Sequence, residues 1–156
     1  MTRRGLIALA ASGSAALLLG ALAFQYWGGL APCKLCIWQR WPHGAAILIG
    51  LVGLILPLRW IAGLGALAAL STAGVGLYHV GVEQGWWEGP TTCTSGSVTG
   101  LSTQDLMAQI MTAPLVRCDD IAWSMAGISM AGWNAILSLG LAAIWIAAAL
   151  RQVSSK

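Results

Sequence analysis

The chain has 156 residues, 58% of them hydrophobic and only 8% charged, with a mean hydropathy of +0.77. A soluble domain usually carries about 25% charged residues. The apolar runs extend along the whole chain, which excludes a soluble domain with one anchor and predicts a single integral membrane domain, 1–156. The formal net charge of +3 comes from eight basic residues that form no patch, so no nucleic-acid partner is expected.

The distribution of charge says more than its sum. Arg3, Arg4, Arg59, Arg151 and Lys156 lie at the ends or in one short turn, whereas Glu83, Glu88, Asp105, Asp119 and Asp120 all fall between positions 83 and 120. Basic residues collect on the cytoplasmic side of membrane proteins. The segregation therefore predicts both termini in the cytoplasm and the acidic segment outside.

After a short basic head, residues 5–27 form an apolar run longer than the roughly 7–15 residues of a signal-peptide core, and read as a first span. Residues 28–40 form the first outer loop. The second span, about 41–56, is short, so it starts inside the loop or ends in the interface; Pro42 reads as a helix N1 residue. Pro57-Leu58-Arg59-Trp60 is a tight inner turn. The third span, 61–82, carries Gly63, Gly65, Gly74 and Gly76, which predict close approach by neighbouring helices. Residues 83–130 form the long outer loop. There Gly85 to Pro90 is turn-like and aromatic, and Thr91 to Gly100 is polar and irregular. Ser102 to Asp105 matches a loose capping box before an amphipathic helix carrying Leu106, Met107, Ile110 and Met111, which lies on the membrane and ends at Pro114. Trp123, Met125 and Ile128 give a weak apolar stripe. The fourth span is about 131–150. The fold expected is all-α: a four-helix membrane bundle with a short amphipathic helix in its second outer loop.

Chemistry centres on Pro32-Cys33-Lys34-Leu35-Cys36-Ile37-Trp38-Gln39-Arg40. A CxxC pair closes a small ring that stabilises weakly but exchanges readily with other thiols, so redox chemistry explains the spacing better than bracing does. Four cysteines allow three pairings in an oxidising compartment. A lone CxxC with two distant single cysteines lacks the two-knuckle spacing of zinc sites, so no metal is expected. Cys93 and Cys118 enclose 24 residues; as a staple their bridge is worth roughly 3–4 kcal/mol in the chain-entropy model, and as a functional pair it is a mobile shuttle reachable by a soluble partner. Arg40, four residues after Cys36, favours a thiolate, stabilises charge on the carbonyl of a bound acceptor, or is a snorkelling interface arginine. His79, Gln84 and His43 are either polar groups satisfied within a bundle or hydrogen-bond partners of a quinone.

This ordered set resembles the bacterial disulfide bond formation protein B (DsbB-like) quinone-dependent thiol oxidases over nearly the whole chain. The resemblance rests on Cys33 to Arg40, on Tyr78 to Gln84, and on Trp87 to Cys93 followed by Cys118. It implies four catalytic cysteines, Cys33, Cys36, Cys93 and Cys118, with Cys93–Cys118 oxidising a periplasmic thioredoxin-like dithiol oxidase (DsbA-like). Cys33–Cys36 then passes the electrons to ubiquinone or menaquinone from the membrane pool. Arg40 and Gln84 match family positions near the quinone, with His79 as a further candidate, and Gln39 stands where several members have an acidic residue. A bacterial inner-membrane protein with its redox loops in the periplasm is implied. The nearest rival, the vitamin K epoxide reductase family, carries its CxxC near the last helices. A non-catalytic, disulfide-braced membrane protein is a second alternative.

Overall fold

A computed structural model describes residues 1–90, 93, 102–112 and 116–151. The chain is mostly helical: α1 (Arg3–Tyr26), α2 (Lys34–Ile55), α3 (Arg59–Glu83), α4 (Thr103–Thr112), β1 (Ser124–Met125), β2 (Ile128–Ser129) and α5 (Met130–Leu150). Among the described residues α1, α3 and α5 are long and apolar enough to cross a membrane. The first half of α2 carries Lys34, Gln39, Arg40 and His43, which lower its apolar character. α1 packs on α2 and α5, and α3 packs on the same two, so the four long helices close into a ring.

At one end of this bundle Ile7 and Ala10 of α1, Ala62, Ala66 and Ala69 of α3, and Ala142, Trp145 and Ala148 of α5 form a buried core. Thr2 caps α1 by accepting from the Gly5 N–H at 3.1 Å. The next residue, Arg3, is buried and donates from Nε to Ala148 O at 3.0 Å, from Nη1 to Pro57 O at 2.9 Å, and from Nη2 to Arg151 O. One guanidinium thus fastens the start of α1, the α2–α3 turn and the carbonyl end of α5, where a cation also suits the helix dipole. Removing it strands these carbonyls. Arg3→Ala is expected to lower stability by about 2–3 kcal/mol, the scale of a buried charged hydrogen bond, as read by thermal unfolding in detergent.

Two sequence expectations change here. Pro42 is not an N1 residue: α2 begins eight residues earlier, with Cys33 as its N-cap, and Pro42 sits inside the helix. The Cys33 sulfur supplies the capping acceptor that sets this earlier start, taking the Cys36 N–H at 3.1 Å. The α3 glycines also divide by face. A Cβ on Gly65 would lie 2.5 Å from the Trp145 ring, and one on Gly76 3.2 Å from Ala131 O and Ala135 Cβ, whereas Gly63 and Gly74 face open space. Of these four glycines, only the two on the Trp145 and α5 side of α3 are used for close packing between helices.

At the other end, Gly85 takes φ +68° and turns the chain back. Trp87 then lies over Gly81, donates from Nε1 to Tyr78 O at 3.0 Å and stacks on Tyr78. α4 starts as its sequence indicates: Ser102 Oγ accepts the Asp105 N–H at 3.2 Å and its hydroxyl donates to the Asp105 carboxylate at 2.5 Å. Thr91–Thr92, Thr94–Gly100, Pro114 and Lys156 lie outside the described residues.

The stripe at Trp123, Met125 and Ile128 proves to be a β-hairpin, Ser124 opposite Ser129 and Met125 opposite Ile128, so the chain is not wholly α. Its turn residues, Ala126 and Gly127, have φ +53° and +77°, the conformation a tight hairpin demands. Alanine is strained there. Ala126→Gly is expected to raise stability by about 0.5–1 kcal/mol, the relief of the left-handed backbone less the added chain entropy, checked by the same melting assay.

Candidate redox site at the cysteine end of the bundle

The capping role of Cys33 places its sulfur at the positive end of α2, and one turn on, Cys36 Sγ lies 2.7 Å from it. A disulfide spans about 2.05 Å, so closing the ring requires only a small approach. Cys93 and Cys118 form a disulfide with Cα atoms 5.4 Å apart, and the Cys118 N–H donates to Cys93 O at 2.8 Å. Cys33, Leu35, Val82, Cys93 and Cys118 make one buried cluster with Cys36 packed against it. The loops separated by α2 and α3 in sequence therefore bring both thiol pairs into contact range. The Cys33 sulfur, the Cys118 sulfur and a ring nitrogen of His79 all lie within 4.8 Å of one another. Within this group the Cys118 sulfur is bonded to Cys93.

Charge is managed locally. The hydrogen bond Cys33 donates to Cys36, and then burial, push the Cys33 thiol well above the usual cysteine range. Beside Cys118, the Arg117 guanidinium hydrogen-bonds Asp119 and holds its carboxyl below the ordinary value. That ion pair acts above the carboxyl's ordinary pKa and is lost as pH falls through the depressed one.

Below the sulfurs runs a buried polar chain. His79 Nε2 lies 3.1 Å from Cys118 O and 3.6 Å from Cys33 Sγ, while Nδ1 lies 2.9 Å from Gln39 Nε2. Gln39 Nε2 also donates to Leu35 O at 3.3 Å, and Gln39 Oε1 accepts from Asn134 Nδ2 at 2.7 Å. Asn134 Nδ2 donates to Thr72 Oγ1 at 3.1 Å, Thr72 donates to Gln39 O at 3.0 Å, and Asn134 Oδ1 meets His43 Nε2 at 2.9 Å. Glu83 lies 3.9 Å from His79 and accepts from the Ser129 hydroxyl.

A cavity of about 440 Å³ opens beside this chain between α1, α2, α5 and the segment around Trp123, lined mostly by apolar side chains together with Cys33, Cys36, Arg40 and His43. Arg40 donates to Gln25 Oε1 at 2.5 Å and to Ala21 O at 3.3 Å, which holds its guanidinium against α1; its Nε is buried with no hydrogen-bond partner. Cys33, Cys36, Arg40 and His79 thus converge on one cavity, with Cys93 and Cys118 packed above. Gln84 stands apart, as the exposed residue closing α3, and does not line the cavity. Its neighbour Glu83 does. Sequence reasoning missed Asn134 and Thr72. The available signal was a polar residue inside an apolar run, where such groups need partners.

The size and lining suit a flat, largely apolar ligand with a few polar atoms; such pockets run roughly 300–1,000 Å³. Comparison with known proteins agrees with this chemistry. The family model described as disulfide bond formation protein DsbB matches residues 3–148. The chain is 35% identical to a disulfide bond formation protein B of Verminephrobacter eiseniae, covering 92% of this chain and 86% of that protein. It is 31% identical to one of Shewanella frigidimarina (97% and 90% covered) and 35% identical to one of Methylococcus capsulatus (83% and 83%). No solved structure gives a significant match. With two cysteine pairs packed together at one end of a multi-pass helical bundle, the chain belongs to the disulfide bond formation protein DsbB family and is a quinone-linked thiol oxidoreductase.

Proposed function

We propose that this protein reoxidises a DsbA-like dithiol oxidase in the periplasm and delivers the electrons to ubiquinone or menaquinone held in the 440 Å³ cavity. The observation that carries this reading is the contact of the two cysteine pairs directly above that cavity. In it, α1, α2, α3 and α5 are four spans of the bacterial inner membrane, with the Arg3 end in the cytoplasm. α4 lies on the periplasmic surface with Met107, Ile110 and Met111, all exposed, turned to lipid.

The partner's thiolate attacks one sulfur of Cys93–Cys118, and its second thiol leaves as a disulfide, giving two thiols here. Cys118, the loop sulfur placed near Cys33, attacks the Cys33–Cys36 disulfide at Cys33 and releases Cys36. Cys93 then displaces Cys33 from Cys118, restoring the loop bridge and leaving Cys33 and Cys36 as thiols, the arrangement seen here. When bound, a quinone supplies an acceptor for two electrons and two protons. Reclosing Cys33–Cys36 releases that number of each. The α2 N-terminus turns its positive dipole end toward the sulfurs, Arg40 lines the same cavity, and the apolar walls exclude water.

The test is to mix purified protein and quinone with a reduced DsbA-like protein and follow quinone absorbance. Reduction lost in both Cys33→Ser and Cys118→Ser supports the relay. Reduction that survives Cys118→Ser makes the first pair the oxidase and the second a staple. No reduction with either quinone type rejects the reading.

A further inference from the structure

The sulfurs of the redox site share their place with an imidazole. His79 Nε2 lies 3.6 Å from Cys33 Sγ, and a ring nitrogen of His79, Cys33 Sγ and Cys118 Sγ all lie within 4.8 Å of one another, every one in a buried residue. In a tetrahedral zinc site, bonds of about 2.3 Å to sulfur and 2.0–2.1 Å to nitrogen put a sulfur and a nitrogen about 3.5 Å apart and two sulfurs about 3.8 Å apart. Cys33 and His79 already stand at the first spacing, and Cys118 exceeds these spacings by little more than about 1 Å. Cys36 offers a fourth donor 2.7 Å from Cys33, which must open by about 1 Å to reach the sulfur–sulfur spacing. The CxxC is one half of a zinc site in its linear spacing. Folding supplies the other half, from α3 and from the segment between α4 and β1.

Oxidation is what withholds these donors from a metal. A closed bridge has no thiolate to give, and Cys118 is bonded to Cys93. When an external dithiol opens that bridge, two electrons and two protons leave Cys93 and Cys118 as thiols, while Cys33 and Cys36 are thiols already. Three thiols and an imidazole then face one point, the Cys₃His combination of structural zinc sites.

We propose that the fully reduced protein binds one Zn²⁺ through Cys33, Cys36, Cys118 and His79 Nε2, and that the ion stalls turnover by occupying the exchanging sulfurs. The stalling rests on the relay proposed above; the binding does not. No electron moves: three thiol protons are displaced, and the cluster keeps one net negative charge at the positive end of α2, which Cys33 caps. On the histidine, Nε2 gives up the proton that meets Cys118 O, and Nδ1 carries the ring proton instead. The Gln39 amide, 2.9 Å from Nδ1, turns its oxygen to accept it. Asn134 and the Thr72 hydroxyl, next along that chain, both donate and accept, so they follow the turn. A hydrogen bond behind the ring is the support that metal-bound histidines generally have.

The test reads binding without quinone. Protein in detergent is reduced with a phosphine, freed of it under nitrogen, and titrated with Co²⁺ and then Zn²⁺. Reduced wild type is expected to take up one equivalent of Co²⁺, with the strong visible bands of a tetrahedral site and thiolate charge transfer in the near ultraviolet, both erased by Zn²⁺. Protein with both bridges closed is expected to show neither. Cys118→Ser and His79→Ala are each expected to weaken Zn²⁺ binding about a hundredfold, the upper end of what losing even an outer-shell partner costs. They lie on different segments, so if one variant folds poorly the other carries the test. Cys93→Ser, which keeps all four donors, is expected to bind like wild type. Zinc that binds equally well without Cys118 and without His79, that binds the oxidised protein, or that does not bind at all overturns the site. Zinc that binds as described but leaves dithiol-driven quinone reduction at its metal-free rate overturns the stalling role. Absence of quinone reduction in the metal-free wild type rejects the relay reading instead.

Discussion

Cys36→Ser is expected to reduce dithiol-dependent quinone reduction by about 10³-fold or more, the scale reached when one member of a covalent unit is removed. It is also expected to accumulate a Cys33–Cys118 disulfide. The variant keeps Cys33, whose sulfur lies within 4.8 Å of Cys118, and removes the neighbour at 2.7 Å with which Cys33 pairs, so the Cys33 thiol is left to attack Cys118 of the loop bridge and release Cys93 as a thiol. Peptide mapping without reductant reads the disulfide, and quinone absorbance reads the rate. A variant that turns over normally would place the exchange elsewhere than Cys33–Cys36.

Gly65→Ala carries the largest expected loss of stability, about 3 kcal/mol, at the upper end of what overpacking usually costs. The new methyl would stand 2.5 Å from a fully buried indole, which Gly50 backs with a hypothetical Cβ only 3.7 Å from Trp145 Cη2. The ring is 0% exposed in the packed core, so making room for the methyl displaces its neighbours. Gly63→Ala and Gly74→Ala, where the same methyl meets open space, are the controls. They should be neutral or gain up to about 1 kcal/mol from helix propensity. Melting curves in detergent distinguish the two faces.

The helices at α1, α3 and α5 were legible in the sequence because long uncharged runs have few other folded uses. α2 was legible as an element but not in its start. Its N-cap is a cysteine, outside the usual Ser, Thr, Asp and Asn set, and Pro42 offered a more familiar boundary. The hairpin at 124–129 was hidden by its two-residue strands and by Ala-Gly in place of the Asn-Gly or Asp-Gly of a strong turn signal. At the site, the spacing of Cys33 and Cys36 disclosed one pair, and the charge pattern placed all four cysteines on one side. The chain from His79 through Gln39 and Asn134 to His43 joins positions as far as 95 residues apart, and no local pattern predicts partners at that separation. Gln84 and Glu83 differ by one position, yet the helix end leaves one exposed and turns the other toward the cavity.

Cys33 is at once an exchanging sulfur and the cap of α2. Each time it bonds to another sulfur it is drawn from the position in which it accepts the Cys36 N–H at 3.1 Å, and each time it is released the cap is restored. The first turn of α2 should therefore tighten and loosen with the oxidation state. Amide hydrogen exchange at Cys36 becomes a clock for the sulfur chemistry, expected to run faster in oxidised than in reduced protein, and it needs neither quinone nor partner to be read.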